Sequence, residues 1–115
     1  MKRPILAFAG LAVAFLAVSV SAQEKPAEAT LDLYKTKCLA CHLPDGNSPI
    51  PEMNFANGNW KHGTKVADMV KVINEGVPST AMVSFKEQLS AAEIDALARY
   101  VRSFDKKLKP EKAGK

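Results

Sequence analysis

The residues best equipped for chemistry lie together in Cys38-Leu39-Ala40-Cys41-His42. Two thiols two residues apart, followed at once by an imidazole, form the C-x-x-C-H attachment signature of a c-type haem. In that chemistry each thiol adds to a vinyl group to make a thioether, and the imidazole binds iron from one face. One turn of chain between the sulfurs lets them clamp one porphyrin edge and holds the next side chain under the metal. The motif therefore predicts one covalently bound haem c with its iron, attached through Cys38 and Cys41 and ligated by His42. Three other chemistries compete. A dithiol switch needs a strand-helix context that the chain lacks. Tetrahedral zinc needs two more ligands, and His42 and His62 are wrongly spaced to complete a finger. A Cys38–Cys41 disulfide in a haem-free helical module closes too short a loop to stabilise much.

Iron held by one histidine has a sixth position to fill, and a methionine thioether there raises the reduction potential by favouring the ferrous state. Met69 falls on an apolar helical stripe, where packing accounts for it. Met53 lies 11 residues beyond His42, too near to wrap around to the opposite face of the ring. Met82 lies 40 residues beyond His42, between two helical stretches, and is the candidate ligand. His62 is the alternative, which would give a bis-histidine centre.

These residues need elements to carry them. Leu31, Tyr34 and Cys38 recur at helical spacing and predict a helix over about 31–39. Residues 43–62 hold Pro44, Pro49, Pro51 and four asparagines without a stable period, and so read as a loop long enough to wrap something larger than a side chain. Thr64 is placed to cap a helix over about 65–74, with Val66, Met69, Val70 and Ile73 on one face and Gly76 as its stop. Ser90 and Glu93 form a capping box ahead of Ile94, Leu97, Ala98, Val101 and Phe104, which predicts a helix ending near Phe104 or Asp105. No alternating run is long enough for a sheet, so the fold class is all-α.

The ends read differently. Lys2 and Arg3, the apolar run from Ile5 to Val18, and the small residues before Gln23 match a secretory leader over 1–22, cleaved after Ala22. That run is shorter than the ~20 residues needed to span a bilayer, and no cysteine follows it to take a lipid, so a soluble exported product is expected. Losing the leader removes two basic residues and no acidic ones, and the formal charge falls from +4 to +2. A nearly balanced charge gives no reason to expect nucleic-acid binding. Residues 23–105 make the domain, and the lysines of 106–115 read as a solvated, flexible tail.

Over residues 30–104 the chain resembles the small bacterial monohaem cytochromes c of the His/Met class. Tyr34 looks like the aromatic with which the first helix of that family meets the last, with Leu97 and Tyr100 as its counterparts. The stretch from Gly76 to Phe85 resembles the family's loop that carries the methionine ligand, here Met82. Two positions depart from the pattern: Thr30 stands where many members have glycine, and Val83 where proline commonly follows the ligand. The first implies a wider or shifted helix crossing, and the second a less stiff loop. The resemblance implies three to four helices wrapped around one haem, and a His42 ring hydrogen donated to a carbonyl near Pro49 or Pro51. Phe55 and Trp60 either wall the haem, with the Trp60 indole on a propionate, or simply pack in the small core. The function implied is a monomeric periplasmic one-electron carrier, not an enzyme, serving partners such as an oxidase, peroxidase or dehydrogenase. Lys37, Lys61 and Lys86 would then ring the haem edge. If Met82 dissociated readily, the alternative would be a peroxide- or gas-binding haem enzyme or sensor.

Overall fold

The computed structural model describes residues 2–5, 7, 9–16 and 25–112, and the expected cleavage point after Ala22 lies outside them. Four α-helices follow in order: α1 (Glu28–Lys37), α2 (Leu39–His42), α3 (Val66–Glu75) and α4 (Ala91–Arg102). Single 3-10 turns at Pro44–Gly46 and Pro51–Met53 interrupt the connection after α2. No strand occurs among the described residues, and the fold is all-helical. None of their helices is long and apolar enough to cross a membrane.

α4 is the organising element. Its start is fixed by a reciprocal cap, in which the Glu93 N–H donates to Ser90 Oγ at 3.1 Å and the Ser90 N–H to Glu93 Oε2 at 2.7 Å. Its apolar stripe then buries Ile94, Leu97, Ala98 and Val101, and each large side chain fully buried in this way contributes roughly 1.5–3 kcal/mol. The helix ends at Arg102, and Phe104 and Asp105 follow it in a turn.

α1 and α3 both pack on α4. From α1, Tyr34 meets Tyr100 edge-on at 5.3 Å and Phe104 at 5.5 Å, geometries that suit the ring quadrupoles. Thr30 is buried one turn before Tyr34 and is accommodated without glycine's smallness. From α3, Val66 and Met69 close on Ala98, which is fully buried.

The first helix begins three residues earlier than its periodicity indicates and breaks at Cys38, so the C-x-x-C-H residues occupy a separate turn, α2. The cap of α3 also differs from expectation. Lys65, not Thr64, is its N-cap residue, and the Lys65 N–H donates to Asp68 Oδ2 at 3.1 Å. A second carboxylate comes from far along the chain, because Glu111 Oε2 accepts the Val66 N–H at 2.5 Å. The Thr64 carbonyl is used elsewhere, accepting from Arg102 Nε at 2.6 Å.

Those contacts bear on the segment read as a tail. Arg102 pairs with Glu111 at 3.2 Å and donates to the Lys109 carbonyl, while Arg99 donates to the Glu111 carbonyl at 3.0 Å. Residues 109–111 thus run back along α4 and bring an anion to the positive end of α3. Lysine count says nothing of this, because two arginines and one glutamate make the contacts.

Trp60 closes the lower core by donating its indole N–H to Asp105 Oδ2 at 2.9 Å, which corrects the expected propionate partner. That bond holds the buried Asp105 carboxyl below its ordinary range, helped by the Lys107 N–H at 3.0 Å. A carboxyl whose pKa is depressed by folding stabilises the fold above its unfolded pKa of ~3.9, and that contribution is lost as pH falls through the folded value. Asp105→Asn should therefore flatten the decline in melting temperature of the haem-loaded protein below about pH 4. Parallel melting curves for the two proteins across that range would show that the Trp60–Asp105 bond carries no linkage.

Candidate haem-binding site

The four residues singled out for haem attachment and ligation, Cys38, Cys41, His42 and Met82, line one cavity. α2 and its N-cap residue Cys38 present the first three, and the loop from Gly76 to Phe85 carries Met82. The cavity holds about 360 Å³, within the roughly 300–1,000 Å³ usual for cofactor sites. Its wall is largely apolar, built from Phe55, Met69, Ile73, Phe85, Leu97 and Val101.

α2 is short but well tied. The Cys38 N–H continues the α1 ladder to the Tyr34 carbonyl at 2.9 Å, and the His42 N–H returns to the Cys38 carbonyl at 3.0 Å. The chain then turns sharply at Leu43, whose φ of 59° is unusual for a branched side chain. The Tyr34 hydroxyl donates to the Leu43 carbonyl at 2.7 Å, so the aromatic that joins α1 to α4 also pins the exit from the motif. Burial pushes that phenol up to about 12, and it remains a donor at any ordinary pH.

Both thiols are free, Cys41 exposed and Cys38 half-buried. Burial raises Cys38 to about 11. A nucleophilic dithiol needs the opposite shift, so the environment of Cys38 argues against a redox switch. The zinc reading finds no support in the geometry either, since among the described residues no three His, Cys, Asp or Glu side chains gather as metal ligands would.

His42 has the state that iron ligation requires. Its Nδ1 lies 2.7 Å from the Met53 carbonyl. A carbonyl only accepts, so Nδ1 carries the hydrogen and Nε2 keeps its lone pair. Burial lowers the His42 pKa and so favours the neutral ring, while the Met53 bond acts in the opposite sense without cancelling it. Phe55 stacks on the imidazole with centroids 4.2 Å apart and planes 20° from parallel. The acceptor thus lies two residues beyond Pro51, and Met53 serves through its backbone. No residue-type signal could have identified it.

The Met82 loop is held by hydrogen bonds where the family has a proline. Thr80 Oγ1 donates to the Val77 carbonyl at 2.7 Å and accepts the Met82 N–H at 3.1 Å. The Val77 N–H reaches the Met82 carbonyl at 2.9 Å, and the Phe85 N–H ties the far end to the Ile73 carbonyl of α3 at 3.0 Å. Val83 itself is 54% exposed, so no packing demand at that position calls for a ring.

His62 also lines the cavity, as do Lys37 and Lys61, but Lys86 does not. Lys61 is 3.7 Å from Glu52 and Lys37 is 3.4 Å from the Gln88 amide oxygen, so the cationic ring expected at the mouth is partly neutralised and shorter by one member. Neutral imidazole, free thiols at the required spacing, a thioether on the same cavity and an apolar wall together fit a haem c.

Comparison with known proteins agrees with this geometry. Residues 25–101 match the family described as cytochrome c oxidase, cbb3-type, subunit III. The solved structure of the KustC0563 c-type cytochrome is 34% identical, with a TM-score of 0.57 over 66% of this chain and 96% of that one. A point mutant of the same cytochrome gives 33% identity and a TM-score of 0.56, covering 66% of this chain and 98% of that one. The Kuenenia stuttgartiensis reducing HAO-like protein complex Kustc0457/Kustc0458 shares the fold alone, at 20% identity and a TM-score of 0.61 over 79% of this chain and 49% of that chain. No curated protein matches. With its Cys38-x-x-Cys41-His42 motif carried on α2 of a small helical c-type cytochrome domain, the chain belongs to the cytochrome c oxidase, cbb3-type, subunit III family.

Proposed function

We propose that this chain is an exported one-electron carrier of the periplasm, with one haem c attached through Cys38 and Cys41 and its iron held between His42 and Met82. The observation that carries this reading is the shared cavity, which puts a tautomer-fixed imidazole and a loop methionine on the walls of one apolar space. The bound haem would supply an iron that gains and loses a single electron. The chain's own residues do the rest. With His42 and Met82 both holding the iron, no place would be left for substrate, which favours a carrier over an enzyme. Phe55, Leu97 and Val101 exclude water and favour the less charged ferrous state. Thr80 and Gly76 hold the Met82 loop in one geometry, which keeps reorganisation small.

Export is supported by the leader's composition and by its exposed apolar side chains: Ile5, Leu11, Phe15 and Leu16 are each about nine-tenths exposed and add nothing to the core. Cleavage after Ala22 would leave a soluble monomer. Its partners would be redox proteins such as an oxidase, peroxidase or dehydrogenase, in line with the oxidase-subunit family. Encounters would be brief and guided by the mixed charges at the cavity mouth, Lys37, Lys61 and Glu52.

Met82→Ala tests the ligand assignment. The haem should stay attached, the weak far-red charge-transfer band of methionine-ligated ferric iron should vanish, and the potential should fall as a soft ligand is lost. An unchanged potential with the band intact would assign the sixth position to another methionine, whereas an unchanged potential with no such band in either protein would assign it to His62.

A further inference from the structure

The Met53 carbonyl that fixes His42 lies in a loop stretch with little regular structure, and something must hold it. Its peptide plane is shared with the Asn54 N–H, because C=O and N–H of one peptide unit are rigidly coplanar. The backbone constrains this unit only partly: its Asn54 N–H reaches the Pro51 carbonyl at a long 3.3 Å, and the Met53 N–H of the preceding unit reaches the Ile50 carbonyl at 2.9 Å. The side chain of Asn54 supplies more. Its Nδ2 donates to the Ser48 carbonyl at 2.8 Å and to Asn47 Oδ1 at 3.1 Å, and its Oδ1 accepts the Asn57 N–H at 2.9 Å. Only a carboxamide offers two donors and an acceptor in one plane. The half-buried Asn54 thus bridges both flanks of the loop, while the next residue is secured by the Phe55 N–H to the Gly46 carbonyl at 2.8 Å.

We infer that Asn54 is the positioning residue of the proximal ligand: its carboxamide clamp aims the Met53 carbonyl at His42 Nδ1 and thereby sets the basicity of the imidazole. This rests on His42 being the iron ligand. The Nδ1–H bond strengthens the ring as a donor to ferric iron, so slackening it makes the oxidised state less favourable. Asn54 touches neither His42 nor the iron by this account, and its effect passes entirely through the Met53 peptide.

The test compares haem-loaded wild-type, Asn54→Ala and Asn57→Ala proteins. Asn57→Ala removes the Asn57 Nδ2 bond to the Pro51 carbonyl and the Oδ1 that accepts the Asn59 N–H, but keeps the backbone N–H that Asn54 accepts, so it loosens the same loop without opening the clamp. In Asn54→Ala the potential should rise by an amount corresponding to a tenfold change in the redox equilibrium, ~59 mV for one electron, and the His42 Nδ1 hydrogen should exchange with solvent at least tenfold faster. Asn57→Ala should leave both near the wild-type values. A haem-bearing Asn54→Ala protein with wild-type potential and exchange overturns the inference, as does an equal rise in Asn57→Ala. Should Asn54→Ala fail to mature, exchange of the Asn54 Nδ2 hydrogens in the wild type decides: protection supports the clamp, and exchange at the rate of a free amide overturns it. A wild-type mass equal to bare polypeptide would instead sink the haem reading, leaving the clamp to be judged by the same Nδ2 exchange.

Discussion

Gly76→Ala is expected to lower the melting temperature of the haem-loaded protein by roughly 10 °C or more and to weaken or abolish the far-red methionine band. Gly76 has φ +69° and ψ −173°, a region that residues with a side chain enter only under strain, and strain of this kind alone costs ~1–3 kcal/mol. The larger problem is what the added methyl group would meet. A Cβ at Gly76 lies 2.6 Å from the Met82 carbonyl oxygen, 2.7 Å from the Val83 carbonyl carbon and 2.7 Å from the Ser84 nitrogen. These are backbone atoms, which cannot rotate aside as a side-chain tip does. Relief requires the strand of chain carrying Met82 to move away from α3, which breaks the Val77–Met82 bond and strains the Phe85–Ile73 bond that pin the loop. The damage therefore falls on the proposed sixth ligand, Met82, and leaves the attachment motif untouched. Covalent haem should persist while the methionine signature fades. A Gly76→Ala protein with an unshifted melting point and full band intensity would show that the loop does not pass over Gly76 in the loaded protein.

Gly76 was visible in the sequence as a helix stop, yet its closer role was not, and the difference shows what a sequence exposes. Periodic features were legible because burial writes them into residue types, as in the stripe of α4 behind its Ser90–Glu93 cap, while the meeting of Tyr34 with α4 was implied only by the family resemblance. The attachment motif was legible because its chemistry demands fixed residue types at fixed spacing. Contacts made by backbone atoms left no such mark. The Met53 carbonyl on His42, the Leu43 carbonyl on the Tyr34 hydroxyl and the Met82 carbonyl over Gly76 could belong to any residue in those places. Long-range polar contacts were hidden for a different reason. Glu111 caps α3 from 45 residues away, and Asp105 takes the Trp60 indole across the same separation. Asp105 did leave a trace, as an acid placed next to the apolar Phe104 at the end of the α4 stripe, where a buried carboxylate must find donors.

Cys38 and Cys41 should decide whether the domain folds at all. Phe85, Leu97 and Val101 belong to the core and also line the haem cavity, so one surface serves both purposes. A cavity of about 360 Å³, charged at ~24 cal/mol per Å³, represents about 9 kcal/mol if sealed. Opening to solvent lowers that figure, but whole domains are stable by only roughly 5–15 kcal/mol. Filling this space is thus comparable to the net stability of the protein. A domain of this size has no second core to fall back on. Replacing both Cys38 and Cys41 with serine removes the covalent tether and makes occupancy depend on free haem, whose stabilisation then varies with concentration. The serine variant, purified without added haem, is expected to keep part of its far-ultraviolet helical signal, lose the near-ultraviolet signal of the packed Tyr34, Tyr100 and Trp60 rings, and unfold without a sharp transition. Single replacements should fall between, since one thioether still holds the ring. A double-serine chain that melted cooperatively at the wild-type temperature would mean that α1, α3 and α4 are sufficient by themselves, and that the haem is a passenger in a fold that does not need it.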